Sequence, residues 1–148
     1  MERIVDMVKI KVMVLNTRKE FQMIKITEDV RSFVEESGIQ NGLAAVITAH
    51  TTTGIMVNEG LTCVETDIEE TLERLIPKDA PYAHAHFLPS YGATGSNSPS
   101  HLKSMLSGNS CMFVVQDGKL VSGDAQDVYF TEFDGPKSRK VYIEIIGE

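Results

Sequence analysis

At 148 residues, 42% of them hydrophobic, the chain has the length of one domain with a core to bury. Fourteen basic against 21 acidic residues leave a net charge of −7, which opposes a general nucleic-acid role, since that needs a basic stripe. No apolar run approaches the roughly 18 residues of a membrane span, and the charges scattered through MERIVDMVKIKVMVLN do not read as a signal peptide, so a cytoplasmic protein is expected.

Residues 4–15 alternate, with Val8, Ile10, Val12 and Val14 on one side and Lys9 and Lys11 on the other. That pattern predicts a strand with one solvated face. Polar residues 16–20 make a turn, and Phe21 to Ile26 reads as the hairpin partner. Thr27 then caps a helix whose first turn holds Glu28 and Asp29; Val30, Phe33 and Val34 form its buried stripe and Gly38 stops it. Leu43 to His50 is a buried strand that delivers His50 at its end. TTTG turns the chain, and Ile55 to Glu59 continues as the next strand. Thr62 and Glu65 form the capping box of a second helix. Its buried face is Val64, Ile68, Leu72, Leu75 and Ile76, and the acidic run Glu65 to Glu73 is its solvated face.

From His84 to Gly108 the chain carries three of its four histidines in a glycine- and serine-rich stretch. Long irregular loops in compact domains bind something or are disordered, and the aromatic and histidine content argues against disorder here. A short helix closes the stretch, starting at Ser98 to Ser100 with Pro99 in its first turn, using Leu102, Met105 and Leu106 as core contacts and ending at Gly108. Beyond it everything is strand: CMFVV and LVSG joined at Asp117-Gly118 as a hairpin, then Ala125 to Phe133, then Lys140 to Ile146. The sum is an α+β fold, one compact domain over 1–148, with a mostly antiparallel sheet, two long helices and one short helix. Cys63 and Cys111 match no metal or redox spacing and are expected as reduced thiols.

No P-loop, dinucleotide fingerprint, nucleophile elbow or zinc-protease motif occurs, so the candidates are polar residues in unusual places. His50 at a strand end is either a ligand or base, or a ring hydrogen-bonded to its turn. His84 and His86 are two apart, which on an extended segment puts both on one face, as a transition metal site would use. His101 lies in the first turn of its helix, where the positive helix end keeps the ring neutral and able to bind a metal or accept a proton; the same end suits a phosphate. The run from Gly92 to Asn97 is a weak anion-wrapping candidate. Glu132 shares a strand face with Gln126, Val128 and Phe130, and a carboxylate there is expected to be paired or functional. Gln126 and Glu132, six residues apart and thus roughly 20 Å along a strand, do not fit one small site unless a bulge intervenes.

Several of these segments together resemble the YjbQ family: HTTTG at 50–54 with Val57-Asn58-Glu59, Tyr82 and His84, Asn97 with His101-Leu102-Lys103, and Gly123, Gln126, Tyr129 and Glu132 at regular spacing. The likeness runs through nearly the whole chain. It implies a trimer of α+β domains and the activity of a secondary thiamine-phosphate synthase, joining a pyrimidine diphosphate to a thiazole phosphate and releasing pyrophosphate. The positions matching the pattern are His50, Asn58, His84, Asn97, His101, Gln126 and Glu132; His86 does not match. On that likeness His50, His84 and His101 would hold a divalent metal, zinc or magnesium, or a diphosphate. Asn97 would orient the substrate, with His50, His101 and Glu132 as acid–base groups and Asn58, Lys103 and Gln126 as further binding positions. No organic cofactor is indicated. Lys103 is the one cation of the matching segments, which leaves room for the synthase reaction as a side activity. Departures from the pattern are Thr52-Thr53 in place of Ser-Ala, Asp124-Ala125 in place of Thr-Trp, Asp127 in place of glycine and Thr131 in place of cysteine. Two other classes use the same histidines: a non-catalytic trimeric metal- or metabolite-binding protein, and a metal-dependent hydrolase with Glu132 as base.

Overall fold

The alternation along the last strand sets the architecture. In β8 (Ser138–Gly147), Val141, Ile143 and Ile145 are fully buried while Lys140 and Ile146 on the other face are exposed. The computed structural model describes residues 7–86 and 97–148, without the side chains of residues 85 and 86. Most of the run from Gly92 to Asn97 therefore lies outside the described residues, as do residues 4–6 of the first strand.

β8 sits second in a five-stranded antiparallel sheet of order β1-β8-β3-β5-β6, where β1 is Met7–Asn16, β3 Gly42–Thr48, β5 Ser110–Gln116 and β6 Lys119–Leu120. A second antiparallel sheet, β2-β7-β4, is built from Gln22–Lys25, Gln126–Glu132 and Thr53–Glu59. The core lies between the sheets: Val46, Phe113, Val141 and Ile143 meet Ile55, Val128 and Phe130. Helix α1 (Thr27–Ser37) adds Val30 to this core and Val34 to an adjoining one with Ala44 and Ile145. Helix α2 (Thr62–Leu75) lies on the far side of the smaller sheet, where Tyr129 donates to Glu65 at 2.8 Å. A single turn, α3 (Ala83–His86), and α4 (Ser98–Ser107) bracket the histidine-rich stretch. Among the described residues no helix is long and apolar enough to cross a membrane.

Several local expectations are corrected. The valine face of β1 is the open one: Val8, Ile10, Val12 and Val14 are 48–61% exposed, while Met13 and Leu15 on the lysine side pack against the core. Lys11 keeps its ammonium over the Phe33 ring at 5.9 Å, so its stem covers apolar surface. Alternation finds the two faces but not which one meets the rest of the chain. β2 pairs with β7 rather than with β1, whose inner edge is taken by β8. Neither Thr27 nor Thr62 caps its helix. Thr27 instead donates to Asp127 at 2.5 Å and accepts the Val128 N–H, tying α1 to β7, and Glu65 is held by Tyr129. In α4 the buried face is Pro99, Ser100, Lys103 and Ser104, with Met105 74% exposed. Small residues win there because α4 lies close to β4: a Cβ on Gly54 would fall 2.0 Å from the Ser107 hydroxyl. The Asp117-Gly118 hairpin forms as its residues require, with positive φ at both positions, and both cysteines are free.

Candidate functional site

β3 stops pairing at Thr48, and the chain turns through residues 49–52 into β4, the turn closed by a 2.7 Å hydrogen bond between the Thr48 and Thr53 hydroxyls. Past the end of the β3–β8 ladder the next free amide of β8 is Lys140, and it donates to His50 Nε2 at 3.0 Å. His50 is thus moored to the sheet by its ring. Partial burial, and then the nearby Arg139 charge, hold its pKa below the ordinary histidine value.

Behind this turn lies a buried ion pair. Glu132, at the end of β7 and 0% exposed, accepts from Arg139 Nε at 2.8 Å and from Nη2 at 2.6 Å. The Thr17 hydroxyl (2.8 Å) and the Asp134 amide (3.2 Å) complete its shell, and Arg139 also donates to Thr52 at 2.7 Å. Burial by itself raises the Glu132 pKa, but the bonds from Arg139 and Thr17 outweigh it and leave the carboxyl below its usual range. Both oxygens are engaged, which makes Glu132 a positioning group for the turn at 50–53 and a poor proton acceptor.

The third part comes from the loop. His84 Nε2 lies 2.8 Å from Asn97 Oδ1, Asn97 Nδ2 donates to Asp134 Oδ2 at 3.1 Å, and Lys137 Nζ reaches the same oxygen at 2.6 Å. His101 stands edge-on to His84 with ring centroids 5.5 Å apart. A cleft of about 430 Å³ is lined by His50, Thr51, His101, Ser104 and Met105 together with Gly108 and Asn109.

The structure therefore brings His50 and His101 to one cleft, sets His84 and Asn97 beside His101, and puts Glu132 behind them through Asp134. Ala83–His86 is a helical turn, which corrects the extended segment expected for His84 and His86 and removes the shared-face argument. Three expected binding positions stand elsewhere. Asn58 and Gln126 are exposed at the opposite end of the smaller sheet, where Glu59 pairs with Gln126. β7 runs regularly between Gln126 and Glu132, so the two do not share a site. Gln126 accepts the Gly123 amide at 2.8 Å across a turn and Asn58 accepts the amide of its own neighbour Glu59, both local bonds. Lys103 is buried and paired with Glu73, facing a separate pocket of about 260 Å³ with Phe21 and Phe133. Among the described residues no three His, Cys, Asp or Glu side chains are grouped to hold a metal ion, and the Nε2 lone pair of His50 is taken by the Lys140 amide. The described residues do not fit the expected three-histidine metal site.

Arg139, Asp134 and Thr17 were not singled out from the sequence. The signal for Arg139 was present: Glu132 on an apolar face needs a cation, and Arg139 alternates in phase with Val141 and Ile143.

The family pattern described as UPF0047 protein YjbQ-like matches residues 11–148. The chain belongs to the YjbQ family. Among its relatives, the YugU protein of Bacillus subtilis is 35% identical, covering 93% of this chain and 99% of its own. A UPF0047 protein of Methanocaldococcus jannaschii is 36% identical, covering 90% of this chain and 91% of its own. The YjbQ fold is also that of solved structures. A Sulfolobus solfataricus protein described as YbjQ-like and of unknown function superimposes with a TM-score of 0.89 at 30% identity, over 96% of this chain and 99% of its own. A YugU orthologue from Clostridium acetobutylicum gives 0.82 at 39% identity, over 91% and 98%.

Proposed function

We propose that this YjbQ-family chain is an enzyme that binds a phosphorylated small molecule in the cleft between His50 and His101 and moves a proton on it. The observation that carries this reading is the layer of support behind the rings: Asp134 to Asn97 to His84 on one side, and the Lys140 amide to His50 on the other. A solvated loop histidine needs no such mooring, whereas a reacting one does.

The finer reading is the synthase reaction that the family likeness implies, joining a pyrimidine diphosphate to a thiazole phosphate. In that displacement negative charge grows on the departing pyrophosphate, and imidazole N–H donors in the cleft would stabilise it. Within a single chain Lys103 answers to Glu73 and Arg139 to Glu132, which among the described residues leaves the exposed Lys140 as the cation near His50. Assembly belongs to the same proposal: a homotrimer formed through the open valine face would bring a neighbour against the edge that carries His50 and Lys140. No step is routed through a metal, since the described residues do not fit one.

A second reading, a non-catalytic metabolite-binding trimer, is favoured by one observation. Glu132 has both oxygens bonded and its pKa held low, so the site lacks a free carboxylate base there. The same observation weighs against hydrolysis with Glu132 as base. Pyrophosphate release from the two thiamine precursors separates these readings. The expected result is turnover by the wild type and a loss of at least about a hundredfold in His101→Ala, the scale at which positioned acid–base groups act. Release by His101→Ala at the wild-type rate would remove the assignment.

A further inference from the structure

We propose that Asp134 is a positioning residue that fixes His84, through the Asn97 amide, as the Nε2–H tautomer, and that the Lys140 amide fixes His50 as the opposite, Nδ1–H tautomer. The two rings then offer different chemistry from the same atom, a lone pair at Nδ1 of His84 and a proton at Nδ1 of His50.

The chain of inference starts at a group that has no choice. An ionised carboxylate only accepts hydrogen bonds. Asp134 is held ionised: burial raises its pKa, but the bonds from Lys137 and Asn97 outweigh burial and bring it below its ordinary value. The Asn97 group 3.1 Å from Asp134 Oδ2 must therefore be the NH₂, which turns Oδ1 toward His84. Oδ1 also only accepts, so the imidazole nitrogen 2.8 Å away, Nε2, carries the proton. In a neutral ring that leaves the Nδ1 lone pair uncommitted among the described hydrogen bonds.

At His50 the logic runs the other way. A backbone N–H only donates, so Nε2, 3.0 Å from the Lys140 amide, must be the lone-pair nitrogen and Nδ1 the protonated one. An imidazolium at His50 would point a second N–H at that amide, which agrees with the depressed pKa of the ring. Two rings with opposite mooring are a means of assigning acceptor and donor without a carboxylate base. If His84 takes a proton from a ligand O–H or N–H, the imidazolium keeps its bond to Asn97 and gains the Asp134 charge beyond it.

That both rings act on one ligand rests on the function proposed above; the tautomers do not. The experiment is a two-bond proton–nitrogen correlation of the imidazoles in uniformly labelled full-length protein near neutral pH. The expected result is His84 protonated at Nε2 and His50 at Nδ1. In Asp134→Ala no acceptor fixes the Asn97 amide and both of its orientations become allowed, so His84 loses its single-tautomer pattern while His50 keeps it, which also reports an intact fold. Asn97→Ala should release His84 in the same way without touching Asp134 and its bonds to Lys137 and Glu132. A wild-type His84 protonated at Nδ1, a His50 protonated at Nε2, or a His84 unchanged in both variants would overturn the proposal. Both tautomers as expected but no pyrophosphate release would remove the proposed reaction and leave this inference standing.

Discussion

Glu132 and Arg139 are fully or nearly out of water, and charges in that position stand or fall as a pair. Removing one partner leaves the other desolvated and uncompensated, at a cost of about 3–5 kcal/mol, whereas replacing both by apolar groups is often close to neutral. Arg139→Met is therefore expected to lower stability in urea denaturation by roughly that amount, and adding Glu132→Leu should recover a good part of it. The pair also writes a pH signature. Because folding lowers the Glu132 pKa from 4.5, its stabilisation is fully present above that value and is lost as pH falls through the lower native one. The wild type should lose stability below about pH 4.5 more steeply than the Glu132→Leu/Arg139→Met double variant, as urea midpoints across pH would show. At this scale much of the site was legible in the sequence. His50 stood at a strand end, His101 in a first turn, and Glu132 on an apolar face where it needed a reason. Its reason, Arg139, lay across a turn whose path sequence does not give. Asp134 falls between two expected strands with nothing to mark it, because its partners, Asn97 and Lys137, meet it only in the fold.

At the scale of elements, the helices and the Asp117-Gly118 hairpin followed from local chemistry, while the strand partners did not. β2 had the pattern of a hairpin mate for β1 and joined the other sheet, since alternation says that a strand is half-buried but not beside what. α4 misled in another way. Its apolar residues Met105 and Leu106 point outward, and its serines and Lys103 pack inward because the helix lies against a strand that offers glycine at the contact. Gly54 is therefore the contact position on β4 that seats the C-terminal end of α4. A methyl group there meets the Ser107 hydroxyl at 2.0 Å, the Ser107 Cβ at 3.0 Å and the Gly108 carbonyl at 3.2 Å. Gly54→Ala should cost about 1–3 kcal/mol in thermal or urea unfolding, the usual range for overpacking, and Ser107→Ala in the same chain should recover part of it.

At the scale of the whole molecule, the unusual feature is the outer face of the larger sheet. Val8, Ile146, Leu43 and Val114 form one row across four strands, and Ile10, Glu144, Ala45 and Met112 the next. The apolar members of these rows except Ala45 are more than 36% exposed, and with Val12, Tyr142 and Ile47 in a third row the patch measures roughly 15 Å by 14 Å given strand spacing and rise. Apolar surface on that scale marks an interaction site, and a second copy of the chain is the partner the proposed trimer supplies. The wild type is expected to sediment as a trimer. Ile10→Glu, which sets a second carboxylate directly opposite Glu144, should yield a folded monomer with unchanged far-ultraviolet circular dichroism; a wild-type monomer at micromolar concentration would refute the assembly. His50 sits at the edge of this face, so the monomer should also lose activity.

The proposed activity depends on the histidine cleft taking a phosphorylated ligand. The direct measurement is the imidazole spectrum of full-length protein during titration with inorganic pyrophosphate. Saturable movement of His50 and His101 together, with His84 following through its contact with His101, is the predicted result. Histidine signals that stay in place, or drift linearly without saturating, would contradict it.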